Sequence, residues 1–299
     1  MNNIKTEFSI KDLENLAKIK AHTIRIWEKR YNLLQPKRSD TNIRSYDIEN
    51  LQKLLNVTFL NNNGYKISKI SKLKDSQIPT LVQEIAINGQ QKHQAINAFK
   101  MAMLNFDMAL FNNTYNELLL EHSFEDIFYK VFIQLLEDIG VLWQTDTITP
   151  AHEHFISTLI KQKVLINLEK AQNGQVVTKD KAYVLFLPLN EIHDIGLLFT
   201  AYQLAAKGYY CIYLGQSVPI ESLKDFKGLY SEVVFVSYFT IKPELDELDN
   251  YLKDINNSLI TNTKNKFITL GQQSHALHNK KIPNNFYIYK SISDLVKDL

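Results

Sequence analysis

Apolar residues change their period along the chain, and each change marks a structural boundary. Near the start, Ile10, Leu13 and Leu16 recur at helical spacing behind Ser9, and the acidic Asp12 stands three residues after that serine. This is the pattern of a capped helix start. Residues 17–20 read as a tight turn. Ile24, Trp27 and Tyr31 then give Ala21–Tyr31 one apolar side, so a second short helix follows the first. Pro36 ends that unit, and 37–45 is a polar, basic loop that closes on Arg44, Ser45 and Tyr46. From Asp47 a longer helix buries Leu51, Leu54, Leu55, Thr58 and Phe59, and Asn61-Asn62-Asn63-Gly64 supplies its C-cap.

Between about Ile78 and Ala171 no strand pattern occurs. Leu81, Ile85, Ile96, Phe99, Met103, Phe106, Ala109 and Leu110, and later Ile127, Val131, Leu135 and Ile139, recur every three or four residues, which predicts packed helices. Gly140 and residues 143–149 interrupt them. Thr149-Pro150 then opens a last helix reaching about Gln172, with proline at its first position. After Asn173-Gly174 the pattern changes again. Short β-rich runs at 182–187, 210–214, 232–239, 266–270 and 286–289 alternate with helical stretches at 195–207, 220–230, 243–255 and 292–299. Apolar strands alternating with helices predict a parallel sheet covered on both faces, with ligands bound outside the carboxyl ends of its strands.

The 299 residues are 45% apolar and 22% charged, with 9 Gly, 7 Pro and one Cys. That composition excludes a disordered, collagen-like or disulfide-stapled chain, and the length predicts two or three domains. Apolar runs such as 183–189 fall far short of the roughly 20 residues that span a bilayer, so the expectation is a cytoplasmic protein with no membrane partner. Cys211, within an apolar run, reads as a small core residue. The net charge of +2 hides two opposed parts. Residues 1–75 hold 15 Lys+Arg against 8 Asp+Glu, a surplus of 7, and the remaining 19 against 24 leave a deficit of 5.

The second helix places Thr23, Arg25, Glu28, Lys29 and Arg30 at polar positions, and the loop after it adds Lys37, Arg38 and Arg44. On charge alone this is either a solvated basic face or a helix that enters the major groove, where phosphates supply affinity and base edges supply specificity. The run His22 to Tyr31, followed by Pro36-Lys37-Arg38 and Arg44-Ser45-Tyr46, resembles the MerR family of winged helix-turn-helix regulators. The resemblance covers residues 8–73. It implies that Ala21–Tyr31 is the recognition helix with Thr23, Arg25 and Arg30 near double-stranded DNA, and that Lys37, Arg38, Arg44 and Tyr46 belong to a wing that grips the backbone or minor groove. Trp27 and Leu34 read as core. MerR proteins act as dimers, usually through a coiled coil, but no sustained heptad follows residue 73, so self-association into a dimer or tetramer must arise elsewhere.

Glu191-Ile192-His193-Asp194-Ile195-Gly196 stands at the end of the first predicted strand of the C-terminal part. A histidine by itself there is an ordinary loop residue. With Glu191 two positions earlier, it also suits a metal-binding imidazole whose other nitrogen is held by a carboxylate, and Gly196 permits close approach at the helix entry. The segment resembles the Asp/Glu-x-His-x-x-Gly signature of cobalamin-binding domains, which implies that His193 is the lower axial cobalt ligand and Glu191 its hydrogen-bonding partner. Gly215 closes the second strand as in that family. Ser237-Tyr238-Phe239 stands for Ser-x-Leu, and Gly271-Gln272 for Gly-Gly, with Gln272 narrowing the room for a nucleotide tail.

Nine residues separate Trp143 from Glu153-His154, with Ser157 and Thr158 offering little bulk one turn on. Taken alone, Trp143 reads as a core residue and His154 as an incidental surface histidine. The spacing Trp-x9-Glu-His, between a MerR head and a cobalamin domain, resembles the light-sensing adenosylcobalamin repressors of the CarH and LitR group. That resemblance implies that Trp143 caps the upper face, Glu153 contacts the adenosyl group and His154 binds cobalt after light breaks the Co–C bond.

The resulting expectation is a multidomain chain. An all-α winged helix-turn-helix head occupies 1–75, a four-helix bundle 76–174, and an α/β flavodoxin-like (Rossmann-like) domain with a five-stranded parallel sheet 175–299. It would be a repressor controlled by adenosylcobalamin, with methylcobalamin the other candidate form, and by light. One alternative is a MerR regulator whose C-terminal domain has lost cobalamin and serves protein interaction. The other is a corrinoid methyl-transfer protein, but no nucleophile-base set, zinc-thiolate cluster or phosphate loop points to an enzyme.

Overall fold

The computed structural model describes residues 7–39, 42–85, 91–173, 180–277 and 282–299. The chain divides into two compact units, Met1–Ile160 and Lys161–Leu299.

In the first unit, helix α1 (Ile10–Ala17) starts at Ser9, whose hydroxyl accepts from Asp12 N while the Asp12 carboxylate accepts from Ser9 N. Two amides that a helix start leaves unpaired are thereby satisfied. Lys18 adopts the left-handed conformation (φ 56°) and turns the chain into α2 (Ala21–Tyr31). Leu13, Leu16, Ile24, Trp27 and Leu34 are buried, as the pattern predicts. Residues 37–45, predicted as a loop, contain part of a hairpin: β2 (Lys37–Arg38) runs antiparallel to β3 (Arg44–Asp47), which also pairs with β1 (Glu7–Phe8). Strands of two residues are too short to show an alternating pattern, so the sequence did not reveal them. Asp47 caps α3 (Ile48–Asn62).

The helical part continues with α4 (Ile67–Ile70), α5 (Gln77–Ile85), α6 (Gln91–Asn105), α7 (Met108–Leu119) and α8 (Phe124–Ile127). A π-helical turn at Phe128–Phe132 carries α8 into α9 (Ile133–Gln144), and α10 (Pro150–Gln172) follows. Phe99, Phe111, Phe128 and Phe132 are fully buried, and Phe99 lies 4.9 Å and 5.6 Å, centroid to centroid, from Phe111 and Phe132. Burying each such ring contributes about 1.5–3 kcal/mol. The entry to α10 is fixed by His152, whose Nδ1 is 2.9 Å from Thr149 Oγ1 and whose ring stacks on Phe106 at 4.8 Å.

The second unit is built on five parallel strands, β4 (Lys181–Phe186), β5 (Cys211–Gly215), β6 (Glu232–Tyr238), β7 (Lys266–Leu270) and β8 (Phe286–Ile288), in the order β5-β4-β6-β7-β8. Numbered within the sheet this is 2-1-3-4-5, so the winding reverses between β4 and β6. Helices α11 (Ile195–Ala206), α12 (Ile220–Leu223), α13 (Leu248–Ile255) and α14 (Ile292–Asp298) connect and flank the strands. Cys211 is buried, and burial pushes its thiol up to about 12, in keeping with a core role.

Two predicted helices are shorter than expected. Residues 220–230 form α12 and a 3-10 turn at Lys224–Phe226, followed by a bridge between Lys227 and Tyr230. Instead of starting at Pro243, α13 starts at Leu248, because residues 244–247 close a separate turn in which Glu247 N donates to the Glu244 carbonyl at 3.0 Å and the Glu247 carboxylate accepts from Glu244 N at 3.3 Å.

Candidate functional site

The loop that leaves β4 lies beside the point where the winding of the sheet reverses, the place where such sheets bind ligands. Glu191 is 1% exposed within it. Its Oε1 accepts from the backbone amides of Ile192 (2.9 Å) and His193 (3.0 Å) and lies 2.6 Å from His193 Nδ1. Its Oε2 accepts from the amides of Ile241 (2.7 Å) and Lys242 (2.8 Å), which follow β6. One carboxylate thus staples the β4 loop to the β6 loop and orients the imidazole. Burial alone would raise the Glu191 pKa, but these donors outweigh it and bring it down to about 2. The His193 side chain is 49% exposed, so a buried anion presents a solvent-facing ring.

Around this pair, Asp194 is buried at the entry to α11, ion-paired with Lys161 on α10 and accepting the Tyr213 hydroxyl at 3.0 Å. Fully buried Ser237 donates to the Phe186 carbonyl at 2.9 Å, tying β6 to β4. Gly215 ends β5 with φ 83°, and its carbonyl accepts from Leu187 N at 2.9 Å. Gly271 has φ 97°, and a Cβ there would lie 2.5 Å from the Phe239 carbonyl oxygen. At Gly196 a Cβ would lie 2.9 Å from Cζ of the Tyr238 ring. Gln272, which stands where a second glycine was expected, is exposed. Lys161 and the amides of Ile241 and Lys242 were not found by sequence reasoning. Amides carry no sequence signal, and Lys161 is 33 residues from its partner.

On the first unit, Trp143 is 53% exposed on α9, which sets aside the core reading. Glu153 and His154 occupy the first turn of α10, with Glu153 Oε2 3.3 Å from His154 Nδ1 and the His154 side chain 73% exposed.

The basic surface is organised by Glu28 on α2. Its carboxylate accepts from Arg44 Nε at 3.0 and 3.2 Å and from the Tyr46 hydroxyl at 3.0 Å, and Arg38 lies 3.5 Å away. The β2–β3 hairpin is thereby fastened to α2. Tyr46, expected to grip DNA, is instead fully buried on β3, and burial together with Glu28 pushes its hydroxyl pKa far up. Arg25, Arg30, Lys37 and Arg38 are exposed, whereas Thr23 and Arg44 are half-buried.

Residues 8–77 match the MerR HTH family regulatory protein model, and residues 95–166 match the B12 binding domain model. The HTH-type transcriptional repressor CarH of Myxococcus xanthus is 29% identical over 228 residues, spanning 72% of this chain and 75% of that protein. The Methanosarcina barkeri monomethylamine corrinoid protein superposes with a TM-score of 0.56 at 14% identity, over 69% of this chain and 97% of that one, a likeness of fold. No helix among the described residues is long and apolar enough to cross a membrane. Residues 8–77 thus carry a MerR helix-turn-helix and residues 95–166 a B12 binding domain, and with the doubly wound sheet that presents a carboxylate-held histidine this order of parts makes the chain similar to the MerR-type repressor CarH.

Proposed function

We propose that the chain is a DNA-binding repressor controlled by adenosylcobalamin and by light. The observation that carries the reading is the Glu191–His193 pair, a solvent-facing imidazole with its Nδ1 against a fully desolvated carboxylate. Among the described residues no three His, Cys, Asp or Glu side chains gather into a metal cage. A cobalt ion already held by a corrin ring needs only axial donors, so the donor set fits that group. When bound, adenosylcobalamin would supply a Co–C bond that light cleaves.

His193 would offer Nε2 on the lower side, its tautomer and orientation fixed by Glu191. Trp143 would cover the upper side, Glu153 would face the adenosyl group, and His154 would be the second imidazole donor after illumination. Gly196, Gly215, Ser237 and Gly271 would shape the α/β cradle. Arg25, Arg30, Lys37 and Arg38 would meet phosphates and base edges of an operator duplex, with Thr23 beside them, and Glu28 would hold Arg44 and the hairpin in register. Several heads joined in a dimer or tetramer would raise operator affinity steeply.

The test adds adenosylcobalamin to purified protein in darkness. A stoichiometric red complex, with a spectrum and an elution volume that both change after green light, is expected. An unchanged spectrum and elution overturn the reading.

A further inference from the structure

Helix α1 is tied to the helical layer at two points. Near its C-terminal end, Lys18 Nζ lies 2.5 Å from Oδ1 of Asp138 on α9, while Lys100 Nζ on α6 lies 2.7 Å from Oδ2 of the same carboxylate. One turn earlier, Asn15 Nδ2 donates to Oγ1 of Thr147, in the turn after α9, at 2.9 Å. These two attachment points bracket Trp143 in sequence. Lys18 is also the left-handed residue through which α1 turns into α2, so whatever holds Lys18 sets the approach of the DNA-facing helix.

The charges are distributed unequally. Lys100 and Asp138 are almost fully buried, with 4% and 7% of their side chains exposed, and form a neutral pair on their own. Lys18 is 59% exposed and adds a second cation to a carboxylate that is already balanced. Removing Lys100 would leave a buried charge uncompensated, whereas releasing Lys18 would not. Gln134 Nε2, 3.2 Å from Oδ1, also stays with Asp138. Beside this contact is a cavity of about 420 Å³ lined by Leu16, Lys18, Phe59, Ile96, Lys100 and Asp138 among others. Part of the space between α1, α3 and α6 is therefore not filled to the close packing of a protein interior.

We propose that Lys18–Asp138 and Asn15–Thr147 form a releasable latch through which α9, the helix carrying Trp143, positions α1 and the DNA-facing α2. Lys18 is a positioning residue in this scheme. It rests on Trp143 facing the cofactor, as set out under Proposed function.

The test uses full-length protein and three variants. Lys18→Asn keeps a residue that tolerates the left-handed turn but cannot reach Asp138. Lys18→Arg restores the cation, and Thr147→Val removes the second tie. Amide hydrogen exchange is followed across α1, α2, α6 and α9, and affinity for a duplex selected in vitro by the wild-type protein is measured with and without adenosylcobalamin in darkness. Lys18→Asn and Thr147→Val are expected to speed exchange in α1 and α2 while α6 and α9 keep wild-type protection. Each should shrink the cobalamin-dependent ratio of DNA affinities by at least about fivefold, with cobalamin affinity unchanged, and Lys18→Arg should recover both readouts. Wild-type exchange in Lys18→Asn, or an unaltered affinity ratio, overturns the latch. A wild-type ratio of one overturns the cobalamin reading itself, and the exchange data then decide the latch alone.

Discussion

His193 Nδ1 lies 2.6 Å from Glu191 Oε1, joining a half-exposed ring to a carboxylate that is 1% exposed. The carboxylate's other oxygen holds two amides of the β6 loop, so imidazole orientation and loop closure depend on one side chain. Glu191→Gln keeps the volume but replaces one acceptor oxygen with a donor. Cobalamin affinity is expected to fall about 10–100-fold, as for other partners of metal-binding histidines. Absorption titration in darkness checks this, and an unchanged affinity would remove Glu191 from the site.

The same carboxylate makes stability depend on pH with a definite sign. Its pKa falls from 4.5 to about 2 on folding, so the folded state favours the ionised form. The contribution is fully present above 4.5 and is lost as pH falls through about 2. Urea unfolding of wild type and Glu191→Gln should show a wild-type advantage at neutral pH that shrinks between those two values. A constant difference over that window would contradict the assignment.

Two glycines should respond unequally to alanine. At Gly271 the added Cβ meets backbone of Phe239 at 2.5 Å and φ is 97°, so nothing nearby can yield. Gly271→Ala should cost about 2 kcal/mol or more. At Gly196 the obstacle is the ring of Tyr238, a side chain that can rotate, and the loss in Gly196→Ala should be smaller. Denaturant midpoints of the two variants decide the order.

On the basic surface of the head, proposed to face DNA, Arg25 and Arg30 are exposed and Glu28 is not. Replacing either arginine by alanine should weaken duplex binding and, where it meets a phosphate, reduce the slope of log affinity against log salt by about 0.9. Glu28→Gln should act differently. It loosens Arg44 and Tyr46, so the β2–β3 hairpin should exchange its amides faster, and affinity should fall even though a negative charge has been removed. Binding that tightened on loss of that charge would show Glu28 to be only a repulsive surface group.

Much of this organisation is legible in the sequence, where a local rule governs. The Ser9–Asp12 capping box, the bounds of α2 at Ala21 and Tyr31, the opening of α10 at Pro150 and the positions of the five parallel strands all follow from periods and caps spanning a few residues. Where neighbours in space are distant in sequence, legibility stops. Tyr46 sits in a basic loop pattern and looks like a DNA contact, but its hydroxyl reaches back 18 residues to Glu28 and its ring fills a core position. The amides of Ile241 and Lys242 are likewise recruited by a carboxylate about 50 residues away, which no local pattern announces.

The sequence by itself determined the period of each segment, the chemical identity of the Glu191–His193 pair and the basic character of the head, because these depend on side chains and short spacings. Tertiary structure alone decided which donors satisfy Glu191, which two lysines meet at Asp138 and which aromatic ring enters the core. Those outcomes depend on backbone amides that every residue possesses and on burial, which arises only when distant elements pack together.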